Sequence, residues 1–327
     1  MDIFNKLNDE TLNSISILLN NGFSMKDILS IIEDDKNKSI IYSIKNKLLE
    51  GEKIEYVIIP YLNHNIAYYL LCFIQYMPFS EALSFARNII EKRNERIKNI
   101  INILFYPIML LVGMIFGLLI LSIYLLPSIN SLSSSFSNDI SIIDSSVIRT
   151  ICIIFLVLFL VFLIVIGILF SNKFIINTYR MIYSVNKRSI LIDYYTERFV
   201  YIYYLCLNNG LSTIDSLSII SKIDERSVNS YIAKSIDSEL KKGNDIIKAI
   251  NNKHLSSSFI RFFNIAIKTV NPIGIINSYL EYINKYIDLK IKRYAKTIQV
   301  FVYLLIGIIV VYIYSLLLFP INILNNL

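Results

Sequence analysis

The chain has no tryptophan, two histidines, three cysteines and nine glycines in 327 residues. His64 and His254 stand far apart with no neighbours at metal-ligand spacing, so neither marks a zinc site. Cys72, Cys152 and Cys206 are also scattered, which excludes a disulfide framework and a Cys-rich metal cluster. The glycines form neither a G-x-G-x-x-G turn nor a G-K-[ST] loop, so no phosphate cradle is present. No Gly-x-Ser-x-Gly nucleophile turn occurs either. Acidic residues are spread at solvent-like spacing, and only a carboxylate or metal-binding group assembled by folding would escape this reading. The chain is therefore expected to be non-enzymatic, with no cofactor, and any ATP-driven work must come from a partner.

Charge is missing from three long stretches. Hydrophobic residues make up 55% of the chain, above the roughly 45–50% of soluble proteins. Residues 103–126, 151–170 and 300–319 contain no Asp, Glu, Lys or Arg. A helix of about 20 residues extends about 30 Å, the thickness of a bilayer core. A buried helix of a soluble protein would show a polar face over such a length, so three membrane spans are expected. They carry no ionisable side chain that would mark an ion or proton path. A small transporter is thus a third reading with no feature behind it.

The basic residues orient the spans. Residues 1–102 hold 12 Lys and Arg, residues 171–299 hold 19, and 127–148 hold none. The positive-inside rule places both basic segments in the cytoplasm. The division that follows is cytoplasmic domain 1–102, span 103–126, outer loop 127–148, span 149–170, cytoplasmic domain 171–297, span 298–320 and outer tail 321–327. The net charge of +7 is then a topology signal, and no direct nucleic-acid contact is expected. The polar N-terminus, MDIFNKLNDETLNS, lacks the pattern of a cleaved signal peptide.

What the chain does have is a repeat. Residues 16–32 read SILLNNGFSMKDILSII and residues 204–220 read YLCLNNGLSTIDSLSII, with 10 identities in 17. The match continues through 43–58 and 235–250, Gly51 facing Gly243, and on to Pro78 and Pro272. Order and spacing kept over a hundred residues point to duplication. Each copy has a soluble segment followed by an apolar run. The unpaired run at 151–170 returns the chain to the cytoplasm and makes the repeats parallel, unlike the inverted repeats of many transporters.

The soluble segments read as helical. Ser24 with Asp27, and Ser212 with Asp215, follow Gly22 and Gly210, the pattern of a helix stopped at glycine and restarted by a serine cap. In 81–101, apolar residues at 82, 83, 86, 89, 90, 97, 100 and 101 keep the 3.6-residue period. Arg87, Lys92, Arg93, Arg96 and Lys98 line the rest of that helix. Lys285, Lys290, Lys292, Arg293 and Lys296 occupy the corresponding place before the last run. Both clusters are read as membrane-interface anchors or as a dock for an acidic cytoplasmic partner. Gly113 and Gly117 form a G-x-x-x-G face that permits close helix approach, and Pro107 is expected to bend the first span. The fold class is all-α: two tandem cytoplasmic helical bundles with three transmembrane helices.

These features together resemble the type II secretion F-domain family, the inner-membrane platform proteins of type IV pilus, type II secretion and competence pseudopilus machines. LLNNGFSMKDIL and LNNGLSTIDSL are similar to the opening motif of that family, and LLEGEKI and LKKGNDI to its second turn. KNIINILFYPIML at 98–110 is similar to its Tyr-Pro entry into the first span. Gln75-Tyr-Met-Pro-Phe and Thr269-Val-Asn-Pro-Ile-Gly lack the acidic residue of the family's later turn. Val300-Phe301 stand where a second Tyr-Pro pair would be. In length the chain looks most like the short Gram-positive competence-type form.

The resemblance implies a multi-pass scaffold of the bacterial inner membrane with a cytoplasmic N-terminus. Its partners would be a hexameric assembly ATPase, pilin or pseudopilin subunits, lipid and further copies of itself. The alternative is a membrane receptor or regulatory scaffold that binds another cytoplasmic protein through its helical domains. Reporter fusions at residue 137 and at the C-terminus should give extracytoplasmic signals; a cytoplasmic signal from either breaks the topology.

Overall fold

The computed structural model describes residues 6–34, 37–120, 123, 124, 127, 128, 131, 157, 174–223, 226–251 and 254–324. The middle apolar run and the expected outer loop lie almost wholly outside these residues. Among the described residues all regular structure is helical. Two compact units are present, residues 1–97 with 175–285 and residues 98–174 with 286–327.

In the first unit, α1 (Asp9–Asn20), α2 (Met25–Ile31), α3 (Lys38–Leu49), α4 (Ile54–Ile58), a single 3-10 turn (Ile59–Tyr61) and α5 (His64–Phe73) come from the first repeat. α6 (Phe79–Ile120) begins there. The second repeat supplies α7 (Ile175–Val185), α8 (Ile190–Asn208), α9 (Thr213–Lys222), α10 (Val228–Lys241), α11 (Ile246–Asn251), α12 (Ser257–Ala266) and the start of α13 (Pro272–Leu324).

Repeated residues adopt repeated geometry. Gly22 and Gly210 end α1 and α8 at φ 84° and 77°, and Gly51 and Gly243 sit at 86° and 83°. Their N–H groups reach back to the last helical carbonyls, as Gly210 does to Leu207 at 3.0 Å. A side chain in this left-handed region would crowd its own carbonyl, which selects glycine. The next helix starts on serine. The Ser24 hydroxyl accepts from the Asp27 N–H at 3.3 Å and donates to its carboxylate at 2.5 Å. Ser212 and Asp215 repeat this at 3.1 and 2.6 Å.

Apolar residues at helical spacing fill the interior. Leu12 and Ile15 of α1, Ile28 and Leu29 of α2 and Ile41 and Ile44 of α3 are all fully buried, and α2 packs against both α1 and α3. In the second repeat Val228, Ile232, Ala233 and Ile236 form one buried stripe of α10, which packs along α9. Phe259 and Phe263 of α12 close on Tyr279 of α13, with ring centroids of Phe259 and Tyr279 5.1 Å apart. Truncating such a buried aromatic to alanine costs about 3–5 kcal/mol.

α6 and α13 are far longer than the rest. The expected stripe of α6 is buried at Ala82, Leu83, Ala86, Ile89 and Ile90, but Ile97 and Ile101 are 41% and 57% exposed. The helix leaves the first unit at Ile97, and the stripe is only partly covered there, with Ile100 half-buried. α6 is continuous through Pro107. Phe79–Gly117 contains a window of mean hydropathy 2.2 and is long and apolar enough to cross a membrane. α13 is helical through the charge-free run 300–319. In the second unit the Tyr106 and Tyr303 hydroxyls hydrogen-bond at 2.7 Å, joining the two long helices.

Ser212→Ala should lower unfolding free energy by about 1 kcal/mol, and Gly210→Ala by about 1–2 kcal/mol. Denaturant titration in detergent, followed by far-UV circular dichroism, reads both. An unchanged midpoint for Ser212→Ala would reject the capping role.

Candidate functional site

The basic residues of α6 do not form a uniformly solvated face. Arg87 lies beside Glu91 at 3.6 Å. One and two turns on, Lys92, Arg93 and Arg96 face α8 across a narrow cleft, walled on the other side by Tyr194, Glu197, Arg198 and Tyr201. Arg96 is buried, and its guanidinium donates to the Asn284 side-chain oxygen on α13. The Arg93 Nε is enclosed and has no protein partner. The cleft holds about 20 Å³, room for one water molecule.

Three of these cations therefore belong to a seam inside the first unit. Lys285, exposed in the same unit, stays outside it. Within the second unit, Lys98, Lys292, Arg293 and Lys296 are exposed and Lys290 lies 5.2 Å over the Tyr286 ring. Those five keep their charge at the surface, as an interfacial anchor or dock requires. Gly113 and Gly117 are exposed, with open space where a side chain would be.

α8 carries polar residues that sequence reading passed over. Asp193, Thr196 and Glu197 are all buried, at i, i+3 and i+4 on the face that also buries Val200 and Tyr203. Polar residues in an apolar stripe were the available signal. The Thr196 hydroxyl accepts from the Ser256 N–H at 3.0 Å. The Ser256 hydroxyl meets that of Ser258 at 2.9 Å and that of Tyr279 at 3.3 Å. Tyr179 donates to the His254 carbonyl, and the His254 Nε2 meets the Tyr231 hydroxyl at 3.0 Å. Burial, then the Ser256 bond and the Asp193 charge, set the Tyr279 hydroxyl, whose pKa is raised. This network ties α7, α8, α10, α12 and α13 together in the interior, which suits holding helices in register.

The segments of the two repeats also meet through α5. Arg198 of α8 lies beside Tyr69 of α5 and 5.9 Å over the Tyr194 ring. Burial alone would lower its pKa, but Tyr194, Tyr69 and Tyr195 outweigh that and raise it. The Tyr68 hydroxyl donates to the Lys222 carbonyl at the end of α9, at 3.4 Å. Among the described residues no group of three His, Cys, Asp or Glu could hold a metal.

Burial, aided by the charges of Glu197, Glu95 and Glu91, pushes the Tyr201 phenol up to about 12. Burial pushes the Cys206 thiol to about 12 as well. A raised acid stabilises the fold below its unfolded pKa and loses that contribution as pH rises through the folded value. Stability should therefore fall between about pH 8.5 and 12, and Tyr201→Phe should flatten the part above pH 10. Melting temperatures measured from pH 8 to 12 check this; identical slopes would reject it.

No curated protein matches the chain. Residues 199–320 match the family model described as type II secretion system (T2SS), protein F. The matched stretch starts on α8 beside Arg198, includes the second LNNG turn and runs to the end of the last apolar run. The chain thus carries a protein F domain of the type II secretion system, the domain of membrane platform proteins in secretion and pilus-type machinery.

Proposed function

We propose that the chain is the polytopic platform of a type IV pilus or type II secretion-like machine, coupling a cytoplasmic assembly ATPase to polymerisation of pilin or pseudopilin subunits, with DNA uptake in competence as one use. The observation that carries this is the protein F domain at 199–320, on a chain whose residues 16–32 repeat its opening motif. On this reading the gene duplicated a soluble helical segment and its membrane helix, and the run at 151–170 keeps both copies in one orientation. Three spans, a cytoplasmic N-terminus and an outer C-terminus follow from the distribution of Lys and Arg.

The platform performs no chemistry in this scheme. ATP hydrolysis in the partner moves the soluble unit, and α6 and α13 are the levers that carry the movement. Pilin helices or other platform copies pack against the apolar helices, where Gly113 and Gly117 leave open space.

Deleting the gene should abolish surface filaments or DNA uptake while pilin is still made, and normal filaments in the deletion strain would overturn the proposal. The full-length protein in detergent should retain an assembly ATPase on affinity resin. Retention of a signalling protein in its place would favour the receptor reading.

A further inference from the structure

The cleft between α6 and α8 encloses more positive charge than its walls can balance. Lys92, Arg93 and Arg96 come from one side and Arg198 from the other, and none of these cations is exposed. Among the described residues on the walls, Glu197 is the one acidic group. Whichever cation its carboxylate pairs with, the remaining ones share a narrow space. Arg96 is held by the neutral Asn284 side chain and Arg198 lies over the neutral Tyr194 ring, contacts that leave both charges in place. Glu91 and Glu95 stand nearby on α6 but are exposed, and Glu91 lies beside Arg87, so solvent screens them from the cleft.

Like charges enclosed together repel more strongly than at the surface, because little water lies between them. One donor in the cleft is also unmet. The Arg93 Nε is enclosed and has no acceptor in the protein, and a buried N–H left without a partner costs free energy. The cavity measures about 20 Å³. That volume excludes a whole carboxylate or phosphate group and admits a single particle of water or halide size. Water would meet the N–H but would leave the excess charge as it is. A monatomic anion meets both needs.

We propose that this cleft is a binding site for a single halide ion, chloride being the abundant one, with the Arg93 guanidinium as its principal donor and Lys92, Arg96 and Arg198 around it. The cations of α6 belong to the first repeat and Arg198 to the second, so the ion is shared by both and fastens the base of α6 to α8. Exposed cations such as Lys292 and Lys296 need no such ion, because water already screens them. The ion depends on the soluble unit alone and not on which partner that unit meets.

The test uses full-length protein in detergent, its melting temperature followed by helical circular dichroism at constant ionic strength. Replacing sodium gluconate, whose anion is too large for the cleft, with sodium chloride or bromide should raise the melting temperature by about 2–4 °C in a saturable way. Arg93→Gln removes the charge and the Nε donor together and should abolish that rise, while Lys292→Gln at an exposed position should keep it. Crystals grown in bromide should show anomalous scattering from an ion beside the Arg93 guanidinium, a readout that needs no variant to fold. Equal melting temperatures in gluconate and halide would mean that water fills the cleft and would overturn the proposal. A halide response retained in Arg93→Gln, or bromide bound at surface lysines as an adventitious ion only, would overturn it too.

Discussion

One of the contacts on which the soluble unit depends centres on Arg198, half-buried on α8. A guanidinium stays charged at any physiological pH and is expensive to desolvate, so even partial enclosure favours neighbours that are polar or polarisable. Tyr69 lies beside it and the Tyr194 ring lies 5.9 Å away. Tyr69 belongs to the first repeat and Arg198 to the second, so satisfying this one cation joins segments that are more than a hundred residues apart. Tyr68 bonding the Lys222 carbonyl extends the same contact to the end of α9.

The seam between α6 and α8 applies the same rule in a second place. Arg96 gives up solvent for the Asn284 amide oxygen, and Lys92 and Arg93 turn toward the wall that holds Glu197. A charge that is enclosed only when neighbouring helices are in register penalises every other register, because the alternative leaves it desolvated without partners. Such contacts stiffen the base of two long helices. In the proposed platform, such stiffness would keep the joint from absorbing a displacement.

Much of the fold was legible in the chain itself. The glycine stops and serine caps at Gly22–Ser24 and Gly210–Ser212 are local, since each depends on residues within one helical turn, and the expected geometry is present at both sites. The period of α6 was also readable up to Ile90. Sequence could not say where that stripe loses its cover, because Ile97 has the same hydrophobicity and phase as Ile90 and differs only in what lies opposite. The candidate site was less legible. Arg96 and Lys98 look alike in a list of basic residues, yet one is buried against Asn284 and the other is exposed. That difference arises from a partner 188 residues away, which no local pattern records.

The buried polar group on α8 shows the same limit from the other side. Asp193, Thr196 and Glu197 have the spacing of a helix face, and an acidic residue in such a position reads as solvated until the face is known to be inward. What the sequence by itself determined is the helical class, the repeated start of each module, the apolar runs and the family of the second repeat, because these depend on residue type and on periods shorter than a turn or longer than a domain. What only the tertiary structure decided is that the two soluble segments form one unit, and which cations are enclosed between them. Those outcomes depend on burial and on pairing across the chain, and a charge acquires its energetic meaning only from what surrounds it.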